Sequence, residues 1–186
     1  MRVIAGDFKG RRLTAPKGLD VRPTPERVKE AIFSMVQPYL AGAVCLDLFA
    51  GTGALGIEAL SRGARFVYFC DSAPLSIAAL KQNLDICRVD PGRAVVLAGD
   101  WHKAYTNISG KCNLVFIDAP YDMCVYYSHM LQTLASWHVL EEGALVVLER
   151  DAGKGGYALP GGFEIVREKR YGSVGIDLIT ETGEGE

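Results

Sequence analysis

From residue 44 onward, near-continuous apolar runs recur along the chain, AVCLDLF, FVYFC, NLVFI and ALVVLE, and stretches of helical spacing separate them. A strand that is apolar on both faces has to be covered on both, and strands alternating with helices achieve this by lying parallel, with helices on either side. The pattern predicts strands over residues 44–49, 66–70, 94–98, 113–117 and 144–149. It predicts helices over 54–62, closed by Gly63, and over 74–86 and 124–137. The last forty residues depart from this alternation. FEIVREKRYG and SVGIDLIT flank Gly172 without room for a crossover helix, so they predict an antiparallel hairpin at one edge. The expected fold class is therefore α/β, a doubly wound, mostly parallel seven-stranded sheet with an antiparallel C-terminal hairpin.

Ahead of this core, RVIAGDFKGRRLT at residues 2–14 reads as a small β-hairpin with Gly6-Asp7 as its turn. In TPERVKEAIFSMVQP, Thr24 is the expected N-cap and Pro25 the first helical residue. Val28, Ile32, Met35 and Val36 follow at helical spacing, and Pro38 is the stop. No repeat, low-complexity block or Pro/Ser linker interrupts the chain, and only the tail ETGEGE looks frayed. Its 186 residues, 49% of them apolar, suit one buried core. Residues 1–40 are expected to be an extension packed on the domain formed by residues 41–186.

Composition excludes several function classes. No apolar run approaches the roughly 18 residues of a membrane span, and MRVIAGDFKG lacks a signal-peptide h-region, so the expected location is cytoplasmic. The five cysteines (45, 70, 87, 112 and 124) contain no C-x-x-C pair and read as free thiols, mostly buried; the three histidines lack ligand spacing, so no metal is expected. Charge is uneven. Residues 1–30 hold eight Lys or Arg against four acids, a balance of +4 within a chain of net −2, which leaves −6 on the rest. A basic end on an acidic body points to a polyanion at one edge; a solvated, soluble hairpin would look the same.

In a doubly wound sheet, ligands lie beyond the carboxyl ends of the strands, where the strand order switches. There the first strand ends in Asp47 and the turn AGTGALG, the second in Asp71, the third in Gly99-Asp100 and the fourth in Asp118-Ala119-Pro120-Tyr121. Gly51, Gly53 and Gly56 satisfy G-x-G-x-x-G, which allows close backbone approach and aims a helix N-terminus at a carboxylate or a phosphate alike. Asp71 stands where an acid accepts from both ribose hydroxyls, which disfavours a 2′-phosphate and leaves NAD open. Asp100 suits an adenine amine, with Trp101 either beside it or in the core. A dehydrogenase also needs a hydride-acceptor site, and the chain has no residues left to build that second domain.

LDLFAGTGALG resembles the cofactor motif of Rossmann-like S-adenosylmethionine-dependent methyltransferases, and IDAPYD resembles their D/N-P-P-Y amino-methylating motif. RVIAGDFKGRRL, RPTPERVKEAIFSM and REKRYGS, in that order around the core, extend the resemblance over nearly the whole chain. They resemble the bacterial 16S rRNA (guanine-N2)-methyltransferases that modify position 966 of small-subunit rRNA. That resemblance implies S-adenosylmethionine as cofactor, held by Asp47, Phe49, Ala50, Gly51, Gly53, Asp71, Ser72, Asp100 and Trp101. Thr24 and Arg27 either face its carboxylate or are a helix cap and a solvated cation. The small ribosomal subunit is the implied partner of a monomeric enzyme.

Further implications concern transfer. Asp118 and the Ala119 carbonyl accept the protons of the guanine amine, Pro120 keeps residue 119 extended, and Tyr121 either stacks on an extruded base or packs as a loop aromatic. A carboxylate only accepts, and guanine offers N1–H and N2–H side by side, so Asp118 suits guanine better than adenine. Relatives with Asp at this motif position methylate adenine too, which leaves another nucleic-acid amino-methyltransferase as an alternative; the family usually has proline where this chain has Ala119, which leaves a second, an inactive RNA-binding assembly protein of the same fold. Lys9, Arg11, Arg12 and Arg22 are the candidate phosphate contacts, with Arg167, Lys169 and Arg170 behind them.

Overall fold

The computed structural model describes residues 1–15, 25–154 and 156–182. Seven strands form one sheet: β1 (Val44–Asp47), β2 (Phe66–Asp71), β3 (Ala94–Ala98), β4 (Cys112–Ile117), β5 (Leu140–Asp151), β6 (Phe163–Tyr171) and β7 (Val174–Glu181). Their order is β3-β2-β1-β4-β5-β7-β6. The first five run parallel, while β7 lies antiparallel between β5 and β6. The order reverses between β1 and β4, so the switch point falls where the sequence concentrates its acids.

The long apolar runs are explained by what covers each face. Cys45, Val67, Phe69, Leu114, Phe116 and Val147 enter one buried cluster, with residues of α1 (Glu26–Val36), α2 (Ala54–Ser61) and α3 (Pro74–Ile86). Their alternates Leu46, Tyr68, Cys70, Val115, Ile117 and Val146 enter the other, with Met130, Leu131 and Leu134 of α4 (Tyr127–Ser136). Each Val, Leu, Ile or Phe so buried stabilises the fold by about 1.5–3 kcal/mol. Period-two alternation carried by strands that are apolar throughout is the mark of a sheet sandwiched on both sides.

Several boundaries differ from the sequence reading. Pro25 is the N-cap of α1, at φ −55 and ψ 141, and not its first helical residue; Thr24 lies outside the described residues. The helix expected over 124–137 begins at Tyr127, because a 3-10 turn, Tyr121–Tyr126, precedes it. Strand β5 starts four residues early, at Leu140, and reaches its core register after a shift against β4 between Cys112 and Leu114. The N-terminal hairpin reduces to one antiparallel bridge, Arg2 to Arg12. Its turn is wide, with Gly6 and Gly10 both at positive φ.

That N-terminal segment is held by polar groups of α2 and α3. The Glu58 carboxylate accepts from the backbone N–H of Ile4 (2.8 Å) and Ala5 (3.0 Å), and the Ser61 hydroxyl accepts from the N–H of Phe8 (2.9 Å). Gly6 passes so close that a Cβ there would stand 1.7 Å from the Ser61 carbonyl oxygen. Lys29, one of the cations of the basic N-terminal stretch, is buried and pairs with Glu58 at 2.9 Å. Burial works to raise the Glu58 pKa, but the Ile4 N–H, Lys29 and Arg62 outweigh it and hold the carboxyl below its ordinary value.

Candidate active site

The turn after β1 is locked by the strand residue that precedes it and by side chains from two other places in the fold. Asp47, the last residue of β1 and 1% exposed, accepts from the Gly56 N–H at 2.9 Å. Asp71, the last residue of β2, accepts from the Gly51 N–H at 2.7 Å through one oxygen and from the Ala73 N–H at 2.8 Å through the other. Asn83 of α3 donates to the Thr52 carbonyl at 2.9 Å. Ala50 donates its own N–H to the Cys70 carbonyl at 2.8 Å, which ties the turn to β2.

The three glycines of this turn have different reasons to be glycine. Gly51 has φ +54 and nothing within 4 Å of where a Cβ would stand, so the outer side of the turn is open to a ligand. Gly53, the N-cap of α2, has φ +81, and its Cβ would stand 2.4 Å from the Leu80 side chain. Gly53 therefore meets two demands, a left-handed backbone and close packing against α3. Gly56 has an ordinary φ, but its Cβ would stand 2.2 Å from the Phe69 ring, so it brings α2 down onto β2. The G-x-G-x-x-G spacing is thus one glycine facing outward and two facing inward.

Four acids meet at this sheet end. Burial pushes the Asp47 carboxyl up to about 7, against the opposing Gly56 N–H, and the negative charges of Asp118 and Asp71 push it the same way. Asp71, Asp47 and Asp100 also add to the burial that raises the Cys70 thiol to about 12. Asp100 is exposed; its carboxylate accepts from the His102 backbone N–H at 2.9 Å and meets the His102 ring nitrogen Nδ1 at 2.8 Å, and these contacts, the backbone one foremost, hold its pKa down. Trp101 is 7% exposed, stacked on His102 at 3.7 Å between ring centroids and tilted against Phe49 at 6.3 Å. Ser72 is exposed beside Asp71, and Phe49 is half-buried.

The turn after β4 completes the end. Asp118 is half-buried directly beyond β4, Ala119 is buried, and Pro120 is exposed at φ −49 and ψ 138, capping the 3-10 turn that starts with Tyr121. Pro120 follows Ala119 and biases it toward the extended region. A cavity of about 330 Å³ opens beside that turn, lined among others by Cys124, Val125, Arg150, Lys154 and Tyr157. A hollow of about 260 Å³ at Tyr39, Asn113 and Glu142 lies at the opposite, amino-terminal end of the sheet, away from the acids.

Of the basic candidates, Lys9, Arg12 and Arg170 are exposed, as are Arg167 and Lys169 on β6. Arg11 is engaged by the fold: its guanidinium donates to the Ile86 carbonyl at 3.2 Å and lies 5.3 Å from the centroid of the Phe8 ring. Arg170 donates to the Gly172 carbonyl at 2.9 Å, across the tip of the hairpin. Arg27 is exposed in the first turn of α1, whereas Arg22 and Thr24 lie outside the described residues. Among the described residues no helix is long and apolar enough to cross a membrane, and no group of three or more His, Cys, Asp or Glu is arranged to hold a metal ion.

Sequence reasoning missed Asn83, Glu58 and Lys29. A signal for Glu58 existed, because an acid inside the apolar helix ALGIEALS demands a buried partner. Asn83 left none, since its partners lie 31 and 69 residues away.

Comparison with known proteins places this geometry. The family model described as "Conserved hypothetical protein 95" matches residues 1–180. Ribosomal RNA small subunit methyltransferase D of Escherichia coli (strain K12) is 31% identical over 186 residues, spanning 100% of this chain and 92% of its own length. The protein of that name from Haemophilus influenzae is 33% identical, over 96% of this chain and 92% of its own. The solved structure of a candidate methyltransferase from Escherichia coli superposes with TM-score 0.85 and 29% identity, covering 99% of each chain. The chain belongs to the conserved hypothetical protein 95 family, with a Rossmann-like methyltransferase fold and relatives named as small-subunit rRNA methyltransferases.

Proposed function

We propose that the protein transfers a methyl group from S-adenosylmethionine to the exocyclic N2 of a guanine in 16S rRNA, at position 966 of the small subunit. The observation that carries this reading is the juxtaposition at the switch point: an acid-clamped turn with an open outer side at Gly51, and the Asp-Ala-Pro-Tyr sequence at the end of the adjacent strand. The names of the relatives, rRNA small-subunit methyltransferases that match along nearly their whole length, support it.

The donor set suits the cofactor. Both Asp71 oxygens already accept one backbone N–H each, yet a carboxylate has about four lone-pair sites, so two remain for the ribose hydroxyls. Gly51 and the start of α2 leave room and partial positive charge for the carboxylate end. Asp100, exposed and followed by Trp101, which meets Phe49, is the acceptor for the adenine amine in this reading. When bound, the cofactor supplies an electrophilic methyl. Asp47, buried on Gly56, keeps the turn in shape and makes no ligand contact of its own in this reading.

The residues of the chain position the amine. Its lone pair is delocalised into the guanine ring and becomes more nucleophilic when both protons point at strong acceptors. Asp118 and the Ala119 carbonyl are those acceptors, and Asp118 takes the released proton, a role that contributes roughly a hundred- to ten-thousand-fold in rate. Orientation of amine and methyl accounts for about 7–11 kcal/mol of the barrier when geometry is right. Proline is not needed at position 119, because the contact uses a carbonyl that alanine also has. Tyr121 stacks on the extruded base, since a paired guanine N2 cannot reach the methyl.

Purified protein, S-adenosylmethionine and unmodified small subunits provide the test. N2-methylguanosine is the expected product on nucleoside analysis. N6-methyladenosine instead would identify a different nucleic-acid amino-methyltransferase. Failure to transfer, with transfer restored by Ala119→Pro, would favour the inactive RNA-binding reading of this fold.

A further inference from the structure

Asn83 sits within α3, fully buried, with a carboxamide that is used up. Its Oδ1 accepts from the Thr14 N–H at 2.7 Å and from the Thr14 hydroxyl at 2.9 Å. Its Nδ2 donates to the Thr14 carbonyl at 3.0 Å and to the Thr52 carbonyl at 2.9 Å. A primary amide has two donors and two acceptor sites, so all four are spent. The orientation follows from the partners, because two carbonyls require the nitrogen and an N–H requires the oxygen. One side chain therefore closes the N-terminal segment at Thr14 and the turn after β1 at Thr52.

Neither end can withdraw without leaving a buried polar group unmet, which is the expensive outcome for a hydrogen bond. Thr52 lies between Gly51 and Gly53, so its carbonyl sets the plane of the peptide that leads into Gly53. We propose that Asn83 is a positioning residue that couples cofactor affinity to the seating of the N-terminal segment. It holds Thr52 in the shape that takes S-adenosylmethionine only while Thr14 is docked. The inference rests on the reading of residues 50–56 as the cofactor turn. Because coupling between sites is reciprocal, a ligand at the turn also tightens residues 1–14, which carry the exposed Lys9 and Arg12 of the proposed RNA contact. Cofactor occupancy and RNA engagement are thereby linked through one amide.

The test uses full-length protein and S-adenosylhomocysteine in isothermal titration. Asn83→Asp keeps the size and the Thr14 acceptor but points an oxygen at two carbonyls. It is expected to weaken binding by about tenfold or more, to raise KM for S-adenosylmethionine, and to leave kcat at saturation within about threefold. Thr14→Val approaches from the other side: it removes the hydroxyl whose single proton faces Asn83 Oδ1 at 2.9 Å and Gln82 Oε1 at 3.2 Å, without touching the turn. Its expected effect is a two- to fivefold weakening, within the range of one hydrogen bond at roughly half a kcal/mol or more. Ligand should also slow hydrogen exchange at Val3, Leu13 and Thr14 in the wild type and not in Asn83→Asp. A merely structural Asn83 would lower Tm and leave the dissociation constant unchanged. That result in a folded Asn83→Asp protein overturns the proposal, and so does unchanged affinity in Thr14→Val; if Asn83→Asp does not fold, Thr14→Val decides alone. Wild-type protein that binds no S-adenosylhomocysteine would instead overturn the cofactor reading beneath it.

Discussion

The turns after β1 and β4 lie side by side at one sheet end and are built on opposite plans. The first adds outside clamps to its own Gly53 N–H to Ala50 carbonyl bond of 2.7 Å: Asp71 and Asn83 hold Gly51 and Thr52, Asp47 at the strand end holds Gly56, and Gly53 and Gly56 are set against Leu80 and Phe69. The second is shaped by its own chain, through Pro120 at φ −49 and the Met123 N–H donating back to the Pro120 carbonyl at 2.8 Å. A clamped turn presents the same surface before and after a ligand arrives, as suits a cofactor shared by many enzymes. A locally shaped turn can vary in sequence, as Ala119 does, while keeping the carbonyl and carboxylate that the proposed transfer requires. Substitutions in the first should therefore cost stability and cofactor affinity together, and in the second activity alone.

Asp118→Ala carries the largest expected effect: methyl transfer falls by roughly a hundred- to ten-thousand-fold, far more than any change in Tm or S-adenosylhomocysteine affinity. A matching fall in Tm would break the contrast between the turns. Asp71→Ala comes next. It orphans the Gly51 and Ala73 N–H groups, each bonded to a charged acceptor and each contributing about 1.5–3 kcal/mol, so both Tm and affinity should drop. Loss of affinity without loss of Tm would mean that Asp71 serves the ligand only.

Gly56→Ala should cost about 1–3 kcal/mol by overpacking against Phe69. Read by calorimetry, that is roughly 2–4 °C of Tm per kcal/mol for a chain of this size. An unchanged Tm would show that α2 can lift off β2 without penalty.

A pH dependence offers a further way to test the clamped turn. Burial, with the Asp118 and Asp71 charges, raises the Asp47 carboxyl from 3.8 to about 7, so the folded state favours its protonated form. Stability from this group is complete below about pH 4 and is lost as pH rises toward 7. Wild-type stability relative to Asp47→Asn should decline across that window and level off above it. Parallel profiles would place Asp47 in a more hydrated setting than the clamp requires.

The two plans also explain what can be read in the sequence. The strand ends and their acids are legible because each strand is a contiguous apolar run that stops at a polar residue, and α3 and β3 match their expected bounds. The D-A-P-Y turn is legible because it is local. The clamps are not, since Asp47 and Asp71 read equally well as ligand contacts and Asn83 reads as one polar residue in a helix. The role of Gly53 is hidden for the same reason: Leu80, which it meets, lies a whole strand and helix further on. Lys29 counts as surface charge in the sequence because nothing within α1 announces Glu58, which comes from a different helix.

Mass-spectrometric mapping of methylated nucleosides in small-subunit rRNA from cells lacking this protein addresses the central claim most directly. The account predicts loss of N2-methylguanosine at a single position, restored by the wild-type gene and not by Asp118→Ala. Unchanged methylation, or loss of a different modification, would contradict it.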